Sequence, residues 1–334
     1  MRHIFVAAIF SVLSVAMTFD AHGQETLAEG QISVGGRIVT TLEQAFNAVE
    51  QGGTIRIGPG TYKMAGILKN KHGVSIYGSL GTVFDGVAAG GKATFVLASN
   101  DITMEDITCR NVKVRDKNGA CIRFEGTNLI LRRVQFENSE NGLLANKNSG
   151  NILIEDSIFD GNGAGGRSHG MYVNGGRLTV RRTKVINTKG EGHGIKSRAE
   201  QTIIEDSIIA SLNGKDSRLI DIPNGGIAAI RRNLLVEGPN TANWQLLSFG
   251  VEKNKHESHF LKLEDNVIIT DRDGGSDLIL VGDGMPTPTV RKNVVVGNIR
   301  YDWPASNFFF DNRSELGLPP APELPAWDPS EDNQ

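Results

Sequence analysis

A group of polar side chains in the middle of the chain has the residue types that acid–base chemistry needs. It comprises two histidines that each precede a glycine, together with a tyrosine, two cations, an aspartate and an asparagine. Cations stabilise the charge that builds on a carboxylate as the neighbouring carbon loses a proton, and lysine, histidine or tyrosine can transfer that proton. This combination suits elimination at a uronic acid, if the fold brings the residues together. The residues are His169, His193, Tyr172, Lys196, Arg198, Asp221 and Asn224.

Eight copies of one short pattern indicate how the chain is organised. Each copy has an apolar residue, two charged residues, usually a small polar residue and two apolar positions, and successive copies start 23 to 33 residues apart. The copies are strand-like, and no helical period occurs after Gln51. Three short strands per turn of a stacked coil would bury these small apolar side chains. The copies start at Met104, Leu131, Ile154, Val180, Ile204, Ile230, Leu263 and Val290.

The charged pair inside each copy alternates in sign along the chain. If neighbouring copies lie one strand spacing apart, roughly 4.8 Å, acidic residues face basic residues above and below and like charges are kept apart. We therefore interpret this ladder as structural rather than as a site for a polyanion. The pairs are Glu105-Asp106, Arg132-Arg133, Glu155-Asp156, Arg181-Arg182, Glu205-Asp206, Arg231-Arg232, Glu264-Asp265 and Arg291-Lys292.

A short amphipathic helix is predicted before the coils, over residues 41–49, behind a threonine N-cap. This helix, the strand that ends in residues 58–62 (Gly-Pro-Gly-Thr-Tyr) and the following coils resemble a right-handed parallel β-helix protein of the pectate-lyase-like superfamily, over about residues 37–300. The resemblance implies an all-β, single-stranded right-handed parallel β-helix (solenoid) with a short N-terminal capping helix. It also implies activity on polysaccharides, with a lysine or arginine as the base and, in some members, calcium.

Counting back from the repeat starts predicts which residues share a face. Eight positions before four successive starts stand Arg123, Asn146, Tyr172 and Lys196, and six positions before them stand Glu125, Asn148, Asn174 and Arg198. Their neighbours are apolar or small, so strand alternation turns the polar residues outward into one strip. His169 and His193 fall at the edge of this strip.

The next two coils are predicted to extend the strip. Asp221 turns outward if Ile220 and Ile222 are buried, although this needs a one-residue adjustment of the register. The following coil is 33 residues long and contains an insertion, which is where a cleft wall can form. Arg218, Asn224, Trp244 and Glu252 lie in these coils.

We predict that the protein is a lyase that cleaves an acidic, uronic-acid-containing polysaccharide by β-elimination, with Lys196 as the base. The other predicted catalytic residues are His193, Arg198, Tyr172 and His169. No metal ligands are assigned, and calcium is left open by the resemblance. The predicted substrate-binding residues are Arg123, Asn146, Asn174, Arg218, Asp221, Asn224, Trp244 and Glu252.

Three other functions stay open at this stage. A glycoside hydrolase needs two carboxyl groups beside the scissile bond, and only Asp221 can be placed with confidence near the basic residues. Residues 192–196, Gly-His-Gly-Ile-Lys, resemble pieces of polygalacturonase signatures, but the paired aspartates of that family are missing from the preceding coil. A uronate C5-epimerase shares the first half of the lyase mechanism. A non-catalytic glycan-binding scaffold would use the same cations.

The charge composition and the terminal segments of the sequence limit the partners and the cellular location that we expect. The formal net charge is −3 and no dense basic run occurs, which disfavours nucleic acid and anionic membranes as partners. Residues 1–23 have the pattern of a signal peptide, so we expect a soluble protein that is exported to the periplasm or secreted. We also expect a monomer. Cys109 and Cys121 either form a disulfide or stay buried thiols. The β-helix domain is predicted over 24–315, followed by a proline-rich acidic tail, extended or disordered, over 316–334.

Overall fold

Three long sheets, built from short strands of successive coils, form the body of the protein. The computed structural model describes residues 27–253, 255–300 and 306–326, so the predicted signal peptide lies outside the described residues. The sheets contain 12, 11 and 10 strands, and the chain is an all-β parallel solenoid of about 9 turns with very little helix. This confirms the predicted fold class.

The strands are two to six residues long, and one α-helix lies near the N-terminus. In chain order the elements are β1 (Ile32–Val34), β2 (Arg37–Val39), α1 (Leu42–Ala48), β3 (Thr54–Ile57), β4 (Gly60–Tyr62), β5 (Gly66–Lys69), β6 (Ser75–Tyr77), β7 (Thr82–Asp85), β8 (Ala93–Ala98), β9 (Ile102–Glu105), β10 (Thr108–Arg110), β11 (Ala120–Phe124), β12 (Leu129–Arg132), β13 (Gln135–Glu137), β14 (Asn141–Ala145), β15 (Asn151–Glu155), β16 (Ile158–Asp160), β17 (Met171–Val173), β18 (Arg177–Arg181), β19 (Lys184–Ile186), β20 (Ile195–Ser197), β21 (Gln201–Glu205), β22 (Ile208–Ala210), β23 (Ile220–Ile222), β24 (Ile227–Arg231), β25 (Leu234–Glu237), β26 (Gln245–Phe249), β27 (Phe260–Glu264), β28 (Val267–Thr270), β29 (Ser276–Val281), β30 (Thr289–Arg291), β31 (Val294–Val296), β32 (Ile299–Arg300), β33 (Phe308–Phe310) and a 3-10 helix (Arg313–Leu316).

Each coil contributes one strand to each sheet in turn. The first sheet has the order β2-β1-β3-β6-β9-β12-β15-β18-β21-β24-β27-β30, and only its β1 pairings are antiparallel. The second sheet has the order β33-β31-β28-β25-β22-β19-β16-β13-β10-β7-β4. The third sheet has the order β32-β29-β26-β23-β20-β17-β14-β11-β8-β5.

The register of the first sheet is the one that the repeat predicts. Met104 pairs with Leu131 and Leu131 with Ile154, and the repeat starts stay paired through Val290. The second charged residue of every pair has φ between 45° and 59°, so this corner turns on a single left-handed residue. Arg132 lies 3.1 Å from both Glu105 and Glu155, which confirms the predicted charge ladder.

The interior holds apolar rows and one buried polar ladder that the sequence analysis missed. Asn233, Asn266 and Asn293 stand three positions after consecutive repeat starts, and the backbone N–H of each of the first two donates to the next asparagine side chain. Their amide groups also donate to carbonyl oxygens of the preceding coil at 2.9–3.0 Å, which satisfies buried backbone acceptors. Cys109 and Cys121 form a disulfide between the second and third sheets.

The helix α1 covers the first coils of the stack, and the described part of the tail packs on the side of the second sheet. Leu42, Ala45 and Phe46 of α1 are buried, and the Thr41 hydroxyl accepts a hydrogen bond from the Gln44 N–H at 3.1 Å, as an N-cap does. The predicted tail is described only as far as residue 326, where Leu318 and Leu324 pack against the second sheet. Among the described residues, no helix has the length and apolar character that a membrane crossing needs.

Candidate functional site

The third sheet brings four polar side chains together on its outer face. Tyr172 pairs with Lys196, Lys196 with Asp221 and Asp221 with Ser248, on the neighbouring strands β17, β20, β23 and β26. The residues on either side of each, such as Ile220 and Ile222 around Asp221, are buried in the core, so strand alternation turns this column outward. The structure has the one-residue shift in register that the sequence predicts at Asp221.

Asn146 does not belong to this column, contrary to the sequence-based register. Leu144 occupies the position between Arg123 and Tyr172. The turn from β14 to β15 spans residues 146–150, longer than the turns in the flanking coils, so counting back from the repeat start overshoots the strand. Leu144 packs with Val96 in a small apolar cluster, so Leu144 separates Arg123 from the continuous polar column that runs from Tyr172 to Ser248.

The two histidines stack on each other beside this column, each of them two residues before its strand, β17 or β20. Their ring centroids lie 5.1 Å apart with planes inclined by 15°, and the His193 backbone N–H donates to His169 Nδ1 at 3.0 Å. Burial lowers the pKa of His169 well below its usual value and lowers the pKa of His193 to about 4, so both rings are neutral at pH 7. This arrangement favours a supporting role over proton transfer to a substrate.

Asp221 is the buried centre of the cluster. Its carboxylate lies 3.3 Å from His193 Nε2 and 2.9 Å from Lys196 Nζ, and it accepts a hydrogen bond from the Ser248 hydroxyl. Burial acts to raise the pKa of Asp221, but these neighbours outweigh it and the pKa lies below its usual value. With a side chain only 3% exposed, Asp221 orients Lys196 and His193 rather than contacting a polymer.

Arg198 links the buried cluster to solvent. Its Nε donates to the Tyr172 hydroxyl at 2.9 Å, one terminal nitrogen donates to Asn224 Oδ1 at 2.7 Å, and the other lies 2.7 Å from the Glu252 carboxylate. Glu252 also lies 3.5 Å from Lys196 Nζ and is 45% exposed. Two cations, a phenol and a solvent-facing carboxylate therefore meet in one place.

A cleft of about 820 Å³ opens beside Arg198, along the turns that follow the third-sheet strands. Its wall includes Lys255, His256 and Glu257 from the inserted coil, as the coil length predicted. Gly226 has φ of 98°, and a Cβ there would lie 2.5 Å from the Glu200 carbonyl oxygen and 3.1 Å from the His256 ring, so glycine allows the close approach of both. Among the predicted binding residues, the cleft is lined by Arg123, Asn146, Asn174 and Asn224.

Two predicted binding residues lie elsewhere. Arg218 donates to Gln245 at 3.1 Å near the opposite ends of the strands, and Trp244, 53% exposed, directly precedes β26 at that same end. The sequence analysis also missed Ser248 and Lys147. Ser248 could have been found from the strand register, which places it opposite Asp221. Lys147 lines the cleft.

No group of three or more histidine, cysteine, aspartate or glutamate side chains in the described ranges is arranged to hold a metal ion. The calcium that the resemblance left open therefore has no candidate ligand set among those residues, and it stays a prediction.

Comparison with protein families supports the fold. A family model described as "Right handed beta helix region" matches residues 62–209. Over these residues the chain is similar to that family of right-handed β-helix regions. Among solved structures, ORF18 of Geobacillus virus E2 is similar at 14% identity with a TM-score of 0.34, over 77% of this chain and 57% of the viral chain. The chain thus spans less than two thirds of that protein's length. No curated protein matches the sequence.

Proposed function

We propose that the protein is an exported lyase that cleaves an acidic, uronic-acid-containing polysaccharide by β-elimination at this cleft. The observation that carries the proposal is the contact of Arg198 with Tyr172 at the edge of an open cleft, with Lys196 beside them. A parallel β-helix with a long open face is compatible with a linear polymer substrate.

The charge of the cleft favours an anionic glycan. Four basic residues line it against two acidic ones, Glu200 and Glu257. Fixed positive charge in a cleft attracts a polyanion and concentrates it at the site. The basic residues are Arg123, Lys147, Arg198 and Lys255.

Arg198 and Lys196 would stabilise the substrate carboxylate. As the C5–H bond breaks, negative charge moves onto the carboxylate of the same sugar, and preorganised cations stabilise that charge where it develops. A guanidinium matches a planar carboxylate through two parallel N–H bonds. Lys196 was predicted as the base, but its ammonium is engaged in ion pairs with Asp221 and Glu252, so we assign it this electrostatic role.

Tyr172 would transfer the protons. Its oxygen accepts from Arg198, and that hydrogen bond becomes stronger when the acceptor is an oxyanion. The phenolate form takes the proton from C5, the C4–O4 bond breaks as the C4–C5 double bond forms, and the phenol then gives its proton to the leaving O4 oxygen. Electrons and protons balance without a further reactant.

A glycoside hydrolase is the next candidate, because hydrolysis uses a pair of carboxyl groups and two carboxylates, Asp221 and Glu252, lie 2.9 and 3.5 Å from Lys196 Nζ. The ammonium, however, lies between the two carboxylates, where the scissile bond of a sugar would have to sit. This ion pair favours elimination over hydrolysis.

The test is ultraviolet absorbance of alginate, pectate, glucuronan and glycosaminoglycans incubated with the protein, with and without calcium. Growth of the unsaturated-uronate band on one polymer supports the proposal and identifies the substrate. New reducing ends without the band would indicate a hydrolase, and inverted C5 stereochemistry without cleavage an epimerase. Binding without any of these changes would indicate a non-catalytic glycan-binding scaffold.

Export to an oxidising compartment, periplasmic or extracellular, is part of the proposal. The Cys109–Cys121 disulfide is the kind of bond that persists in such compartments and is rare in the cytosol. The polymer substrates in question are also found outside the cytoplasm. Fractionation of cells that express the full chain, with the mature N-terminus sequenced, tests both export and the predicted cleavage after residue 23.

A further inference from the structure

A second basic cavity lies at the other ends of the third-sheet strands. It has a volume of about 280 Å³ and is formed by loops that lead from the second sheet into the third. Three lysines line it, Lys113, Lys117 and Lys189, together with Asn138 and Glu140. The cleft described above follows these same strands, so the two basic sites lie on opposite sides of the outer face.

The backbone around this cavity is fixed by contacts between coils. The Ser168 hydroxyl donates to the Lys117 carbonyl at 2.5 Å, and the Gly166 N–H donates to the Gly190 carbonyl at 2.6 Å. A side chain at Gly190 would lie 2.9 Å from the Ala164 backbone, so glycine allows these two loops to touch. The stems of Lys117 and Lys189 therefore start from defined positions.

The three ammonium groups have no ion-pair partner within the part of the chain that the structure describes. Elsewhere the protein pairs its clustered cations, because each arginine of the charge ladder contacts a carboxylate of a neighbouring coil. In the cavity, Glu140 Oε2 instead accepts the backbone N–H groups of Val114 and Gly119, at 3.0 and 2.7 Å. Lys189 Nζ donates to the Asn138 side chain, a neutral group.

Lys113 is also close enough to Lys189 to affect it. Burial, followed by the charge of Lys113, lowers the pKa of Lys189, with Asp160 acting in the opposite direction. Like charges gathered without a counter-charge destabilise the fold, and a bound anion would remove that cost.

We propose that this cavity, the lysine pocket, binds a doubly charged tetrahedral oxyanion: sulfate or phosphate, either free or as an ester on a glycan. With Glu140 counted, the lining carries a net charge of +2, which matches such an ion. Lysines that converge from two loops act as point charges suited to a phosphate-like group, whereas planar carboxylates are better matched by arginine. The volume lies just below the range of pockets for drug-sized ligands, so it suits a small ion or one substituent.

The test is calorimetric titration of the full chain with sodium sulfate and with sodium phosphate, each against sodium chloride at equal ionic strength. We expect one ion per chain. Lys117→Gln and Lys189→Gln should each weaken binding by up to about fivefold, the effect of losing one charge contact. Lys184→Gln, which removes an exposed lysine outside the pocket, should leave the affinity unchanged.

No binding beyond the chloride control, or equal weakening by Lys184→Gln, would overturn the proposal. A matched pair of chondroitin oligosaccharides, with and without sulfate, separates the two sources of the ion. Tighter binding of the sulfated member that is lost in Lys117→Gln supports an ester on a glycan, and binding of inorganic ions alone supports the free ion. Binding is measured without turnover, so the result is independent of the lyase proposal.

Discussion

At the scale of single residues, the most direct test of the proposed elimination is to remove the Tyr172 hydroxyl. Tyr172→Phe removes one oxygen and leaves the ring, which contacts His169 edge-on and lies under Lys196. We expect turnover to fall about 100-fold or more, because general acid–base catalysis typically contributes 10²–10⁴-fold. Polymer affinity should stay within a factor of about three, because Arg198 keeps its bonds to Asn224 and Glu252. Initial rates and a binding isotherm measure both, and unchanged turnover would exclude Tyr172 as the proton-transfer group.

Lys196 makes the second prediction at this scale. Lys196→Ala should abolish turnover and leave polymer binding within about tenfold, or 1.4 kcal/mol, because the cleft keeps its other cations. Lys196→Arg retains a cation and should keep measurable turnover if the role is electrostatic. Loss in both variants would point to Lys196 as the base. Because Lys196→Ala leaves buried Asp221 without its ammonium partner, thermal unfolding of each variant serves as the control.

Residue identity alone predicted much of this cluster but not its geometry. The repeat register predicts Tyr172, Lys196 and Asp221 on one outer face, because apolar or small neighbours flank each of them. The length of the inserted coil predicts Trp244 at the cleft wall, yet Trp244 lies at the far end of its strand. Glu252 meets Lys196 and Arg198 across the inserted coil, and no local pattern encodes that path.

At the scale of elements, strands were predictable and turns were not. The apolar-plus-charged repeat has to be in register because one face of every strand is buried, and a slip by one residue would expose that face. Turn length carries no such constraint, so the longer turn after β14 displaced Asn146 in the sequence-based register. The asparagine ladder could have been found, since its members stand at one fixed offset from Ile230, Leu263 and Val290.

The disulfide gives a prediction about one loop and the strands that it joins. Cys109 of β10 and Cys121 of β11 are 12 residues apart and enclose the loop that carries Lys113 and Lys117. Closing a loop of this size restricts the unfolded chain and is worth about 3 kcal/mol. The double substitution Cys109→Ala with Cys121→Ala should therefore lower the free energy of unfolding by about that amount, measured by urea denaturation.

Reductant supplies the matched control for this prediction. Dithiothreitol in the denaturation series should lower the midpoint of the unmodified protein and leave the double variant unchanged. A midpoint that does not respond to reductant would mean that the bond contributes nothing to stability.

At the scale of the whole molecule, the residues that stabilise the solenoid and the residues of the two proposed sites lie in different places. The charge ladder runs along the corner between the first and second sheets, whereas the cleft and the lysine pocket lie at the two ends of the third-sheet strands. Each coil contacts only its neighbours, so insertions such as the coil that carries Glu252 change one turn without disturbing the stack. Substitutions in the ladder should accordingly change stability more than turnover.

The pH dependence of global stability is set in part by a carboxyl group buried far along the coil. Glu237 ends β25, accepts hydrogen bonds from Thr270 and Ser276, and has Oε1 buried without a hydrogen bond among the described residues. Burial raises the pKa of Glu237 to about 7, against about 4.5 in the unfolded chain. The folded state therefore binds more protons between these values, so this contribution to stability is full below about pH 4.5 and lost as pH rises through about 7.

Glu237→Gln should remove that dependence. The difference in free energy of unfolding between the variant and the unmodified protein should rise by about 3 kcal/mol in favour of the variant from pH 4.5 to pH 8, because the variant buries no charge at the higher pH. Urea denaturation at a series of pH values measures the difference, with the exposed Glu50→Gln as the control for a lost carboxylate. Other carboxylates have the opposite pH dependence. Burial acts to raise the pKa of Glu205 in the charge ladder, but its arginine contacts outweigh burial and lower the pKa, so its contribution to stability is lost as pH falls. Because both proteins share these carboxylates, their contributions cancel in the difference. A difference that stays constant across this range would show that Glu237 carries no proton in the folded protein at neutral pH.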